Sequence, residues 1–295
     1  MTIFEGSAVA LVLPMFDNGD IDFEGFKKQV QRMIDGGVQA LLVNGTTGET
    51  ATITIEDEFK LLDLTLELAK GTGVKVICGA GSNDTQTALK KARYAKEKGA
   101  DAILVVTPYY NKTSQRGLIQ HYTTIADAVD IPMILYNVPG RTGTNIQPAT
   151  AVKIAKSVDN IVAIKEASGD IGQVATLAAL ADGCLDIYSG NDDQVVPLLA
   201  LGGKGVISVL SNVAPRETHD MVMKFLEGDV KGSLDIQLKY MDVIHNLFSE
   251  VNPIPAKRAV AEMGYCKNIV RRPLTEMEED HAQVLIQSMK EAGIL

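Results

Sequence analysis

A lysine stands at the end of an apolar segment that has the pattern of a buried strand. Residues 161–170 read IVAIKEASGD, so four apolar residues lead directly into Lys165. Burial lowers the pKa of an amine, and a neutral amine can attack a carbonyl carbon to form a Schiff base. From the strand context alone, a lysine that reaches solvent, or one that pairs with a distant carboxylate, explains the pattern equally well.

Strand alternation indicates which neighbours share the face of Lys165. Successive side chains of a strand point to opposite faces, so Ala163 and Lys165 share one face and Glu166 points to the other. The same rule places Tyr136 on one face of the preceding apolar segment, 132–138. A tyrosine beside the lysine inside a barrel could donate or accept protons during carbonyl chemistry.

Two further segments could bind carboxylates. GTTGE (45–49) offers backbone N–H groups and two hydroxyls, although an ordinary tight loop before a helix has the same composition. In PGRTG (139–143), Arg141 could bind a second carboxylate in a bidentate manner, or it could be a solvated loop arginine.

Other catalytic classes lack their motifs. The histidines (121, 219, 245 and 281) have no metal-binding spacing and are predicted to lie on helix surfaces, and HExxH and GxSxG are absent. We expect no metal and no cofactor. The three cysteines are far apart, which is typical of free thiols in a reducing compartment.

Composition argues against nucleic-acid and membrane partners. The 295 residues carry a net charge of −9, whereas nucleic-acid binding needs a basic face. Glu5 and Pro14 interrupt the N-terminal apolar segment, which is unlike a signal peptide, and no segment approaches the ~20 apolar residues of a membrane span. We therefore expect a cytoplasmic protein.

Eight short apolar segments alternate with segments of helical period, which predicts a parallel α/β fold. The predicted strands are 7–14, 40–45, 75–81, 102–108, 132–138, 161–167, 186–191 and 205–211. An open doubly wound sheet is the alternative, but its glycine fingerprint is missing after the first strand. We predict a (β/α)8 TIM barrel over 1–228 and a C-terminal helical extension packed on it over 229–295.

The chain resembles the dihydrodipicolinate synthase family, within the superfamily of N-acetylneuraminate lyase and related pyruvate-dependent class I aldolases. The resemblance covers essentially the whole chain and lies in five motifs: GTTGE, TPYYNK, YNVPGRTG, IKEASGD and GVISVLSNVAP. It implies the condensation of pyruvate with L-aspartate 4-semialdehyde to 4-hydroxy-tetrahydrodipicolinate, in the diaminopimelate pathway to lysine.

The resemblance also implies roles for single residues. Lys165 would form the Schiff base, and a proton relay would run through Tyr136, Thr46 and Tyr110, with Tyr110 supplied by a neighbouring subunit. The implied substrate-binding residues are Thr47 for the pyruvate carboxylate, Arg141 for the semialdehyde carboxylate, and Gly190 and Ile207 as backbone lining. Family members are commonly homotetramers built as dimers of dimers, and we expect the same here.

Two other functions stay open at this point. Another pyruvate-dependent aldolase, such as an N-acetylneuraminate lyase or a keto-sugar-acid aldolase, would share the lysine and the tyrosine but usually lacks the arginine of GRTG. A barrel without catalysis that serves as a binding protein is the more distant alternative.

Overall fold

Eight strands form one parallel sheet. The computed structural model describes residues 2–295, and its strands hydrogen-bond in chain order into a closed barrel, which confirms the predicted (β/α)8 fold. The strands are β1 (Gly6–Ala10), β2 (Ala40–Val43), β3 (Lys75–Gly79), β4 (Ala102–Val106), β5 (Met133–Asn137), β6 (Ile161–Glu166), β7 (Asp186–Ser189) and β8 (Gly205–Ser208).

Helices follow the strands, and further helices form the C-terminal part of the chain. They are α1 (Phe23–Asp35), α2 (Ile55–Ala69), α3 (Thr85–Lys98), α4 (Gln115–Ala128), α5 (Pro139–Thr142), α6 (Pro148–Ala155), α7 (Ile171–Ala181), α8 (Val195–Ala200), α9 (Pro215–Leu226), α10 (Val230–Lys239), α11 (Met241–Asn246), α12 (Ile254–Glu262) and α13 (Glu279–Ala292). None of the helices within residues 2–295 is long and apolar enough to cross a membrane.

Helix α3 shows how local sequence sets the helix bounds. The Asp84 carboxylate caps its first turn by accepting from the N–H groups of Gln86 and Thr87. At the other end Gly99 adopts a left-handed conformation with φ 84° and donates its N–H to the carbonyl of Ala95. The left-handed glycine thus ends α3.

All eight predicted strands are present, but each strand ends before its predicted segment does. After β1, for example, Leu11, Val12 and Leu13 stay buried although they lie outside the strand. Hydrophobicity predicts burial, and burial continues past the last ladder bond. The segments that follow the strands are thus longer than the sequence indicated.

His121 contradicts the prediction that the histidines lie on helix surfaces. It is buried on the apolar side of α4, and one ring nitrogen lies 2.9 Å from the Thr85 hydroxyl. Burial lowers the pKa of its imidazole to about 4, partly opposed by Asp84. The spacing of Leu118, His121, Tyr122 and Ile125 is that of one helix face, which is why the ring is inside.

The chain divides into two compact units. The first contains the residues up to Glu5 and Lys75–Ile207. In it the Phe4 ring stacks on the Tyr188 ring with centroids 4.4 Å apart, and the Tyr188 hydroxyl donates to the Phe4 carbonyl over 2.7 Å. These contacts hold Phe4 against β7.

The second unit contains Gly6–Val74 and Ser208–Leu295. Here the Asn212 side chain accepts from the Val12 N–H over 3.0 Å and donates to the Ala10 carbonyl over 2.8 Å. One buried amide thus joins β1 to the segment that follows β8. The boundary between a barrel (1–228) and an extension (229–295) stays a prediction.

Candidate active site

Lys165 and Tyr136 lie side by side at the ends of two neighbouring strands. Strands β5 and β6 pair with these two residues in register, and Nζ of Lys165 lies 4.5 Å from the centroid of the Tyr136 ring. Lys165 is only 6% exposed. Because the face of an aromatic ring attracts positive charge, the Tyr136 ring stabilises a protonated amine or an iminium at the position of Lys165 Nζ.

Burial dominates the electrostatics of Lys165. It lowers the pKa of the amine from 10.5 to about 8, while Asp192 raises this pKa and Arg141 lowers it further. A lysine with this pKa has a neutral fraction near neutral pH that an ordinary lysine lacks, so it can act as a nucleophile.

Asp192 is a site residue that the sequence analysis did not single out. Its side chain is 1% exposed, in the 3₁₀ turn Asp192–Gln194 that follows β7. Its negative charge partly offsets the cost of burying the charged form of Lys165. The sequence signal that could have identified Asp192 is its position two residues after Gly190, just beyond the end of a strand.

Tyr136 can act as both donor and acceptor. Burial raises the pKa of its phenol, and the Arg141 guanidinium opposes that rise. The phenol is therefore protonated at neutral pH. Since the charge of Arg141 acts on both Tyr136 and Lys165, the guanidinium lies near the same site.

Gly190 leaves the space that the Lys165 side chain occupies. A Cβ atom at this position would lie 2.9 Å from Cε of Lys165 and 2.6 Å from Cβ of Ala167. Its N–H donates to the Glu166 carbonyl over 2.7 Å, which holds β7 close to β6. Even a methyl group here would collide with the lysine.

Asn137 closes the loop that carries Arg141. Its Oδ1 accepts from the Ile146 N–H over 2.9 Å, and its Nδ2 donates to Oδ1 of Asn145 over 2.8 Å. The segment between contains α5 and the exposed Arg141 side chain. Because both ends of this segment meet at one buried amide, the guanidinium projects from a short, closed loop.

The same amide connects this loop to β6. Nδ2 of Asn137 lies 3.2 and 3.1 Å from the two carboxylate oxygens of Glu166, which is 3% exposed. The Ser168 N–H donates to the same carboxylate over 2.8 Å. Lys165 lies over Tyr136 whereas Glu166 contacts Asn137, so the two side chains point apart as the alternation predicted.

The GTTGE loop belongs to the second unit. Thr46–Gly48 forms a 3₁₀ turn, and Glu49 follows with a left-handed φ of 54°. Thr46 is half-buried, and Thr47 is buried with its hydroxyl accepting from Nδ2 of Asn252 over 3.0 Å. Both predicted threonines thus lie in a loop whose backbone is tightly folded.

Two further predicted residues, Ile207 and Tyr110, differ strongly in exposure. Ile207 is fully buried in β8. Tyr110 is 92% exposed and has a left-handed φ of 66°, a conformation that a large side chain adopts only when its surroundings hold it. In residues 2–295, no group of three or more His, Cys, Asp or Glu side chains is placed to hold a metal ion.

A family model described as the dihydrodipicolinate synthetase family matches residues 3–292. The chain belongs to this family. The resemblance seen in the sequence motifs is therefore confirmed.

Relatives in the dihydrodipicolinate synthetase family match over the full length. A protein of Lachnoclostridium phytofermentans is 52% identical over 295 residues, covering 100% of both chains, and is named 4-hydroxy-tetrahydrodipicolinate synthase. A protein of Clostridium tetani with the same name is 44% identical over 295 residues, again covering 100% of both.

Solved structures of the family have the same fold. The dihydrodipicolinate synthase of Thermotoga maritima is 42% identical with a TM-score of 0.97, covering 100% of both chains. That of Acinetobacter baumannii, solved with pyruvate, is 39% identical with a TM-score of 0.97 and the same coverage. A monomeric dihydrodipicolinate synthase variant is 42% identical with a TM-score of 0.96, covering 99% of this chain and 98% of that one.

Proposed function

We propose that this protein is a lyase that condenses pyruvate with L-aspartate 4-semialdehyde to 4-hydroxy-tetrahydrodipicolinate, the first committed step of the diaminopimelate route to lysine. The observation that carries the proposal is the buried Lys165 amine, whose pKa is lowered to about 8 and which lies over the Tyr136 ring. The names of the full-length relatives support the same reaction.

The first step is Schiff-base formation. The neutral amine of Lys165 attacks the ketone carbon of pyruvate, a C–N bond forms, and the carbonyl oxygen leaves as water after it has taken up protons. Tyr136 supplies and recovers these protons, since its phenol stays protonated at neutral pH. In this proposal Thr46 and Tyr110 extend the relay towards solvent.

The second step forms the carbon–carbon bond. Loss of a proton from the methyl group converts the iminium to an enamine. The enamine carbon attacks the aldehyde carbon of the semialdehyde, the aldehyde oxygen takes up a proton and becomes a hydroxyl, and the iminium forms again. The amino group of the second substrate then attacks the iminium carbon, the ring closes, and the Lys165 amine leaves unchanged. No oxidant, reductant or metal is needed for this balance.

Two groups would hold the carboxylates of the substrates. Thr47 holds that of pyruvate, while Arg141 binds that of the semialdehyde, and Gly190 and Ile207 line the site with backbone. The exposed guanidinium on its closed loop supports this assignment, because a charged fork recognises a carboxylate better than a sugar hydroxyl does. This separates the proposal from a sialic acid lyase.

The proposed enzyme is an oligomer and is located in the cytoplasm. We infer a homotetramer built as a dimer of dimers, in which the exposed Tyr110 of one subunit completes the relay of its neighbour. The three cysteines (Cys78, Cys184 and Cys266) are free thiols, which supports a cytoplasmic location.

Borohydride reduction in the presence of pyruvate tests the chemistry. We expect one reduced pyruvyl group per chain, mapped to Lys165 by peptide mass spectrometry, together with lost turnover of aspartate semialdehyde. Lys257 is an internal control, since this lysine is also fully buried but is paired with Glu49 and should stay unmodified. An adduct elsewhere, no adduct at all, or efficient cleavage of N-acetylneuraminate would overturn the proposal.

Subunit mixing tests the role of Tyr110. Tyr110→Phe and Lys165→Arg should each be nearly inactive alone. Hybrids of the two variants should regain part of the activity, because one site per pair then holds both native residues. If verified subunit exchange gives no recovery, Tyr110 acts within its own subunit.

A further inference from the structure

The C-terminal part of the chain holds the GTTGE loop through a buried ion pair. Nζ of Lys257, in α12, lies 2.9 Å from Oε1 of Glu49, and both side chains are fully buried. The same amine donates to the carbonyl oxygens of Leu13 and Ile269. A buried charge pair is tolerated only when its remaining hydrogen-bonding groups are satisfied, and this lysine meets that condition.

Arg271 adds a second set of contacts to the same loop. Its backbone N–H donates to Oε2 of Glu49 over 2.8 Å. Its side chain donates to the carbonyls of Thr52 and Gly19, each over 2.8 Å. The position of the residues around GTTGE is therefore set by groups more than 200 residues later in the chain.

Asn252 contacts Thr47 itself. Nδ2 of Asn252 donates to the Thr47 hydroxyl over 3.0 Å, and these residues are 6% and 2% exposed. A hydroxyl carries one proton. Since the Thr47 oxygen accepts from the amide, its own proton is directed to a different acceptor.

We propose that Asn252 is a positioning residue that presents the Thr47 hydroxyl as a hydrogen-bond donor to the carboxylate of pyruvate. The inference rests on the proposed function, in which Thr47 binds that carboxylate. A carboxylate accepts hydrogen bonds and donates none, so a hydroxyl facing it must donate. An amide donor behind the hydroxyl enforces this direction, and neither group titrates.

Removal of the amide tests the inference through the two Michaelis constants. Asn252→Ala should raise the KM for pyruvate about tenfold, because the Thr47 hydroxyl is then no longer held in its donating orientation and its bond to the carboxylate is weakened. The kcat at saturating pyruvate and the KM for aspartate semialdehyde should change by less than about twofold. The pyruvate dependence of borohydride trapping should shift by the same factor as the KM for pyruvate.

Asn252→Asp distinguishes a reversed hydrogen bond at the Thr47 hydroxyl from the simple loss of that bond. Aspartate has nearly the same shape, but its carboxylate accepts from Thr47 and turns the hydroxyl proton away from pyruvate. This variant should therefore bind pyruvate more weakly than Asn252→Ala. It also serves if the alanine variant fails to fold.

Two controls isolate a positioning role from a structural one. In a Thr47→Val background, Asn252→Ala should have almost no further effect on the KM for pyruvate. Asn160→Ala removes another amide. Asn160 lies just before β6, at the strand end opposite Lys165, and its Nδ2 is within hydrogen-bonding distance of three backbone carbonyls between the end of α4 and the start of β5. This substitution should lower stability but leave the KM for pyruvate unchanged.

The outcomes for the inference and for the proposed function are distinct. Native protein that neither traps pyruvate nor turns over the semialdehyde contradicts the proposed function. Native protein that does both, with an unchanged KM for pyruvate in Asn252→Ala or additive effects with Thr47→Val, overturns the role of Asn252 alone.

Discussion

Replacing Lys165 by methionine should stabilise the protein, with a gain that depends on pH. Methionine is similar in length, has no charge and adapts to an irregular buried space. The pKa of Lys165 in the folded protein is about 8, against 10.5 for an ordinary lysine. Keeping the charged amine in the fold therefore costs roughly 3 kcal/mol below pH 8.

The dependence on pH comes from proton binding at this one side chain. Between about pH 8 and pH 10.5 the unfolded chain binds more protons there than the folded chain, so native stability rises with pH across this interval. From pH 7 to pH 9.5 the cost should fall from roughly 3 to roughly 1.5 kcal/mol. The advantage of Lys165→Met should shrink by about half.

Urea denaturation at pH 7 and pH 9.5, at one protein concentration, measures this difference in unfolding free energy. Other groups that titrate in this range are common to both proteins and cancel in the comparison. Lys165→Arg is the matched control, because it keeps the charge and should show no gain at either pH. A gain that does not change with pH, or a native protein that is more stable than Lys165→Met at pH 7, would refute the lowered pKa.

Three further substitutions test the surroundings of Lys165. Gly190→Ala should lower the rate of pyruvate trapping at least about tenfold, because its methyl group would lie 2.9 Å from Cε of the lysine; a native rate would contradict the close contact. Arg141→Ala should still trap pyruvate but lose about ten- to a hundredfold in kcat/KM for aspartate semialdehyde, since a charge-assisted bidentate contact is worth roughly 1.5–3 kcal/mol. Unchanged semialdehyde kinetics would argue against that contact. Asn137→Asp places a second carboxylate against Glu166, so it should lower the unfolding free energy measured in urea by about 1–3 kcal/mol. It should also raise the KM for the semialdehyde more than the KM for pyruvate. Equal changes in both constants would argue against a link to the Arg141 loop.

The fold could be predicted because its signals are local. Each strand is a short apolar segment and each helix has its own period and caps, as α3 shows with Asp84 and Gly99. The ends of the ladders could not be predicted, since Leu11 to Leu13 are as apolar and as buried as the strand before them. His121 was misplaced because a polar residue type was given more weight than its position on the apolar face of α4.

The candidate site was predictable where its residues follow from strand geometry. Lys165 and Tyr136 sit on consecutive strands of a parallel sheet, and alternation within each strand together with the register of β5 and β6 brings them to one face. Asp192 was missed because its effect on Lys165 depends on burial and distance rather than on spacing in the chain.

The sequence by itself determined the eight-fold strand pattern, the lysine and tyrosine that share a face, and the family to which the chain belongs. The tertiary structure decided the pKa of Lys165, which depends on desolvation by groups from several elements. It also decided the contacts of Thr47 with Asn252 and of Glu49 with Lys257. Each of these pairs is separated by more than 200 residues, and periodicity describes only neighbours along the chain, so no local pattern could reveal which distant side chains meet.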